Sequence, residues 1–135
     1  MKNLIIYSDG GARGNPGPAA IGVVLLDDKG GVVESFGRYI GETTNNQAEY
    51  QALIAGLRAA KKHEADSVKC YLDSELIVKQ MRGEYRVKDA DLKKLYAEAK
   101  NFCAVFSKVH FAHISRDRNK SADRLVNQAL DKANG

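Results

Sequence analysis

Asp9, Glu49, Asp73 and Asp123 are the side chains of this sequence whose positions are hardest to assign to solvation alone. Asp9 follows the apolar run Leu4-Ile5-Ile6-Tyr7 and shares a strand face with Ile5 and Tyr7. Asp73 ends the run Val68 to Leu72 on the face of Tyr71. Both would stand at C-terminal strand ends, where open α/β sheets place their ligand sites. Taken singly, either is more simply a strand turning polar as it enters a loop. Glu49 resists that reading, because it lies four residues before Leu53 and eight before Leu57, on the core-facing stripe of a helix. It could be a first-turn acid favoured by the helix dipole, or an ion-pair partner of a buried base. No Lys or Arg occupies a neighbouring core-face position of that helix. Asp123 is weaker evidence: it borders an apolar stripe through Val126 and Leu130, and its place near a helix start gives it a structural explanation that, taken alone, outweighs a functional one.

Four acids gathered together repel one another and raise one or more of their pKa values, a cost that cations between them remove. Oxygen-only ligands, with no Cys and no paired His, select hard octahedral ions such as Mg²⁺ or Mn²⁺. Two such ions about 3.5–4 Å apart can activate a water and stabilise the leaving oxygen of an in-line displacement, so phosphodiester hydrolysis is the natural use. The segment GGARGNPGP does not make a nucleotide phosphate loop. It lacks the Gly-Lys-Ser/Thr ending, is not G-x-G-x-x-G, and leads into a strand rather than a helix. A tight turn is the simpler reading. Asn45 and Asn46, just ahead of Glu49, could cap the helix or read sugar and base edges in a minor groove.

The elements that must position these acids follow from pattern. LIIYSD is a buried strand, and AIGVVLLDD and VVESFGRYI are two more, joined by the turn Lys29-Gly30-Gly31, so the first three strands form an antiparallel meander. Thr44 or Asn45 caps a helix, NNQAEYQALIAGLRAAKK, with Leu53, Leu57 and Ala60 on its stripe. SVKCYLDS is a strand, and ELIVKQMRG a short helix closed by Gly83. Asp89 caps a helix carrying Leu92, Leu95, Tyr96, Ala99 and Phe102; KVHFAHIS is a fifth strand; NKSADRLVNQALDKA is the last helix, with Ala122, Val126, Ala129, Leu130 and Ala133 inward. The order β-β-β-α-β-α-α-β-α implies an α/β fold: a five-stranded mixed sheet, antiparallel first and parallel later, flanked by helices.

At 135 residues, with 44% hydrophobic and 28% charged side chains, the chain suits one globular domain spanning residues 1–135. No apolar segment is long enough for a signal core or a spanning helix, so no membrane partner is expected and the cytoplasm is the expected compartment. Cys70 and Cys103 read as reduced packing residues. The net charge of +4 is mild, and Lys and Arg cluster in the second half, which either solubilises helix faces or meets a polyanion.

Four blocks, YSDGGARGNPGPAAIG, TTNNQAEYQAL, LDSELIVKQMRG and NKSADRLVNQAL, resemble type 1 ribonucleases H in content, order and separation, over essentially the whole chain. The resemblance implies the ribonuclease H fold and endonucleolytic cleavage of the RNA strand of RNA/DNA hybrids, leaving 5′-phosphate and 3′-hydroxyl ends. It implies that Asp9, Glu49, Asp73 and Asp123 are the metal-binding catalytic acids, with two Mg²⁺ ions, or Mn²⁺ as substitute. It also implies hybrid contacts at Asn15, Thr44, Asn45, Asn46 and Ser74. A monomer without an obligate protein partner is expected, and double-stranded RNA stays open as a side substrate.

Three departures stand out. Glu75 replaces the Gln that many relatives carry after the DS motif, bringing a negative charge near the groove. RGEYRVKDADLKK passes straight on where well-known bacterial members insert a basic, Trp-rich handle, so affinity would rest on Lys79, Arg82, Arg86 and Lys88. The auxiliary residue in the loop before the last helix falls on Arg116 in preference to His113, which is expected at a strand end. A binding-only module on this fold would be expected to lose acids, and all four are kept. A strand-transfer enzyme would need a further DNA-binding domain, for which this chain has no room.

Overall fold

The computed structural model describes residues 1–134. Its elements are β1 (Asn3–Ala12), β2 (Gly17–Asp27), β3 (Val32–Thr43), α1 (Asn45–Lys62), β4 (Ser67–Leu72), α2 (Glu75–Met81), α3 (Ala90–Cys103), β5 (Lys108–His113) and α4 (Lys120–Asn134). A 3₁₀ turn, Arg116–Asn119, precedes α4. The sheet order is β3-β2-β1-β4-β5; β1 pairs antiparallel with β2, and β2 with β3, whereas β4 is parallel to both β1 and β5. The expected mixed sheet is therefore present. Among the described residues no helix is long and apolar enough to cross a membrane.

Alternation divides the sheet into two faces. Leu4, Ile6, Val68, Cys70, Leu72 and Phe111 point into the main core, where they meet Leu53 and Leu57 of α1 and Leu92 and Ala99 of α3. The expected stripe of α1 understates its burial: Ala48 to Leu57 are buried at every position except Gln51, because the helix lies between the sheet and α3. The buried Tyr50 hydroxyl donates to Gln80 Oε1 at 2.6 Å and ties α1 to α2. On the second face α4 covers β2 and β3 through Ala122, Val126 and Leu130, packed with Ala20. Ala133 is exposed, contrary to its expected inward place, because it lies in the helix's last turn, beyond this cluster.

Two glycines set how closely helices approach the sheet. A Cβ on Gly10 would overlap the Ala48 carbonyl of α1, and one on Gly22 would overlap the Ala122 carbonyl of α4. Their bareness brings the residues just beyond those carbonyls, Glu49 and Asp123, down onto the sheet from opposite faces.

Several strands run further than the pattern reading, β2 from Gly17 and β3 to Thr43, and one boundary matters for the site. β1 does not stop at Asp9; it continues to Ala12, paired with β2 from Leu4↔Asp27 to Ala12↔Ala19. Glycines 10 and 11 carry the ladder on, and the turn proper is Arg13 to Pro16, closed by the Arg13 N–H donating to Pro18 O at 2.8 Å.

Candidate active site

Tyr7 and Tyr71 are direct partners across the parallel β1–β4 pair, and their rings stack with centroids 5.1 Å apart. Two residues further along each chain, on the same face, come Asp9 and Asp73. The strand register therefore places these two acids side by side. Glu49 joins them from the first turns of α1, whose cap is Thr44: its side chain accepts from the Gln47 N–H at 3.2 Å. Asp9, Glu49 and Asp73 each offer an oxygen, all within 4.8 Å of one another. Asp123, in the first turn of α4, adds its charge from the far wall.

One cleft of about 340 Å³ holds all four acids, together with Arg13, Asn45, Ser74 and Arg116. Asn15, Thr44 and Asn46 are not on its lining. They flank it through Asn45, whose backbone N–H donates to Asn15 Oδ1 at 2.9 Å while its own Oδ1 accepts from the Ala12 N–H at 2.8 Å. With those carbonyl oxygens engaged, both amides present NH₂ donors, the group that suits acceptor-rich base edges and sugar oxygens. Ser74 caps α2, its Oγ accepting from the Ile77 N–H at 3.4 Å.

The protein holds one oxygen of three of the acids. Glu49 Oε1 accepts from the Gly10 N–H at 2.6 Å, Asp73 Oδ2 from Asn119 at 3.0 Å, and Asp123 Oδ2 from Asn127 at 3.4 Å. Glu49 Oε2 is buried with no hydrogen-bond partner of good geometry. Burial, followed by the neighbouring Asp9 carboxyl, pushes the Glu49 pKa well up. Asp9 is raised to about 7, chiefly by burial and then by the charges of Asp73 and Asp123, although its interaction with Glu49 works the other way. Two buried acids holding on to a proton, with an oxygen left over and no base between them, fit a hard divalent cation better than they fit an ion pair.

Asn119 is the residue that sequence reasoning missed. It is 1% exposed and its Nδ2 donates both to Asp73 Oδ2 and to Ser8 O, at 2.9 Å, across 111 residues of chain. Pattern placed it as the first residue of the last helix; in the structure it ends the 3₁₀ turn, and only tertiary closure reveals its target. Arg116 opens that turn on the cleft, whereas His113 is the last residue of β5, as expected, with Nδ1 4.0 Å from Glu75. Glu75 also lies 3.5 Å from Lys79, so its charge is partly offset. Of the basic residues expected to serve in place of a handle, Arg82 donates to Phe111 O and Lys79 to the Tyr85 hydroxyl, while Arg86 and Lys88 are exposed in the connection between α2 and α3.

Taken together, the sheet order and the carboxylate-lined cleft define a class, and the family described as reverse transcriptase-like matches residues 7–129. A protein named ribonuclease HI from Halobacterium salinarum is 45% identical over 127 residues, 94% of this chain and 64% of that protein. The N-terminal RNase H domain of a bifunctional Mycobacterium tuberculosis protein superposes with a TM-score of 0.96 at 42% identity, covering 99% of this chain and 97% of that one. LC11-RNase H1, solved in complex with an RNA/DNA hybrid, superposes with a TM-score of 0.93 at 48% identity, covering 98% and 99%. The chain belongs to the ribonuclease H family. It spans 64% of the halobacterial protein's length and 36% of the mycobacterial one's.

Proposed function

We propose that this chain, acting as one catalytic domain over residues 1–135, hydrolyses the RNA strand of RNA/DNA hybrids to 5′-phosphate and 3′-hydroxyl ends. The observation that carries the reading is the convergence of Asp9, Glu49 and Asp73 within 4.8 Å, in a cleft that Asp123 and Arg116 complete. Membership of the family and the hybrid bound to a 48%-identical relative support the choice of substrate.

The four acids are the residues that would hold the cation, and Mg²⁺, or Mn²⁺ in its place, bound as a pair with substrate, supplies positive charge that activates water and offsets charge on the phosphodiester. Gly10 and Asn119 hold Glu49 Oε1 and Asp73 Oδ2, which fixes the rotamers of both carboxyls and leaves their second oxygens for the cation. The Asp9–Glu49 pair, which holds on to a proton, would have to release it to bind a cation, so binding would be favoured by rising pH. Asn45 and Ser74 line the cleft, and Asn15, Thr44 and Asn46 flank Asn45, where amide and hydroxyl groups would read 2′-hydroxyls and minor-groove acceptors. Arg116 stands on the cleft wall as the auxiliary residue beside the phosphate.

A panel of RNA/DNA, RNA/RNA, DNA/DNA and single-stranded RNA substrates, each with Mg²⁺ and Mn²⁺, tests the reading. Cleavage confined to the RNA strand of the hybrid is expected, with double-stranded RNA slower or uncut; equal cutting of DNA duplexes would overturn the assignment.

A further inference from the structure

Half of the second sheet face is left open. α4 packs against β2 and β3 and reaches β1 less extensively, while among the described residues no helix packs extensively on the outward residues of β4 and β5, Lys69, Tyr71, Lys108, His110 and Ala112. Register arranges these residues in rows. Ile5, Lys69 and His110 form one, and Tyr7, Tyr71 and Ala112 the next. Below them Lys108 and the N-terminal ends of the strands border an open depression of about 700 Å³.

The tyrosine row has an asymmetry with a chemical meaning. Tyr71 stacks on Tyr7 with one ring face, at 5.1 Å and an interplanar angle of 26°. Beside its other face the cross-strand partner is Ala112, a side chain too small to cover an aromatic ring. Neighbouring strands are about 4.8 Å apart, which leaves room over Ala112 for a flat ring at stacking distance. The next row supplies the exposed cation Lys69 and the imidazole of His110, with exposed Lys108 following. Arg118 and Lys120 border Tyr7 on its other side. Asp28 and Asp117 are the acids at these two edges, so cations predominate. A half-buried aromatic ring whose cross-strand neighbour on one side is a single methyl group, set in a cationic field, fits a base joined to a phosphate chain.

We propose that the open face of β1, β4 and β5 is a second nucleic-acid site, which binds single-stranded RNA or DNA by stacking a base on Tyr71 over Ala112 and holding phosphates with Lys69 and Lys108. Asp9 and Asp73 stand one row beyond Tyr7 and Tyr71 on the same face, and none of Lys69, Tyr71, Lys108 and Ala112 lines the carboxylate cleft, so the two sites adjoin without sharing these residues. A hybrid carrying a single-stranded flank would touch both.

The test uses the full wild-type chain in EDTA, so that binding is read without cleavage, with fluorescein-labelled eight-nucleotide oligo-U and oligo-dT followed by anisotropy. Both are expected to bind, with an affinity that falls as salt rises. Tyr71→Phe keeps the ring and should bind as wild type. Tyr71→Ala should weaken binding roughly tenfold. Ala112→Glu fills the space beside the ring and should weaken it at least as much, with an unchanged circular dichroism spectrum and melting temperature. Lys69→Ala/Lys108→Ala should bind weakly with a shallower salt dependence, yet cleave a blunt hybrid at the wild-type rate in Mg²⁺. Equal RNA and DNA affinities identify backbone and base as the shared ligand, and a preference for RNA would add the 2′-hydroxyl. The proposal is overturned if Ala112→Glu and the double lysine variant bind single strands like wild type, if blunt hybrid competes the strands off completely, or if sedimentation shows this face buried in a dimer. Failure of this site leaves cleavage of blunt hybrid intact, so it is distinguishable from failure of the proposed activity.

Discussion

Two glutamates stand near the two ends of α1, and their surroundings are opposite in kind. Near the C-terminal end Glu34 of β3 meets His63 at 2.8 Å and Lys62 at 3.6 Å, and the His63 hydrogen bond, followed by the Lys62 charge, holds its pKa below the usual range. At the N-terminal end Glu49 meets a backbone N–H and other acids, keeps one oxygen without a partner, and is pushed well up. An acid whose partners are complete is a tie between β3 and α1. One buried among its own kind is maintained at a cost to stability, and a cation would relieve it.

Glu49→Gln or Asp9→Asn should lower hybrid cleavage by at least about a thousandfold, equivalent to about 4 kcal/mol in the barrier, while Glu34→Gln leaves the rate unchanged. A single-turnover assay with labelled RNA in the hybrid checks this, and comparable losses at both ends of α1 would erase the distinction.

Asp9 has a folded pKa raised from 3.8 to about 7, so its contribution is fully present below pH 4 and is lost as pH rises toward 7. Glu34 is lowered and behaves in the opposite sense: its contribution is present above its unfolded pKa and fades in acid. In EDTA, Asp9→Asn should therefore raise stability at pH 8 by on the order of 2–4 kcal/mol, and have little effect at pH 4, as read by urea melts. Saturating Mg²⁺ should stabilise the wild type at pH 8 and add little to the variant.

Asn119→Ala sharpens the site side of the contrast. It frees Asp73 Oδ2 and strands Ser8 O, and should cost about 10- to 100-fold in kcat with the KM for hybrid nearly unchanged. The smallest effect is Glu34→Gln on stability. The pair is half-buried, and its loss should cost about 1 kcal/mol or less at pH 7, by thermal melting.

Much of this was legible in the sequence because it depends on local periodicity. The meander, the Asp89 cap, the narrowing of the α1 cap to Thr44 or Asn45 and the placing of Glu49 on an inward helix face all follow from spacing within an element or between neighbours in the chain. The four-block resemblance then united acids that single-element reasoning could weigh only one at a time. What escaped depends on contacts between distant elements. Asn119 reads as an ordinary helix-start residue until the fold brings it to Asp73, 46 residues away. Gly10 and Gly22 look like turn or strand glycines until α1 and α4 are laid against them. The continuation of β1 past Asp9 escaped because glycines, poor strand formers in isolation, are held there by pairing with β2.

The most direct test of the central claim, that the carboxylate cleft cuts the RNA strand of hybrids with a bound divalent cation, pairs Asp73→Asn with wild type on one end-labelled hybrid. Cleavage and binding are read with Mg²⁺ and with EDTA. The account predicts wild-type cutting that needs Mg²⁺ and leaves 3′-hydroxyl ends, and a variant that binds the hybrid without cutting it. Cleavage by Asp73→Asn at the wild-type rate, or by the wild type in EDTA, would contradict it.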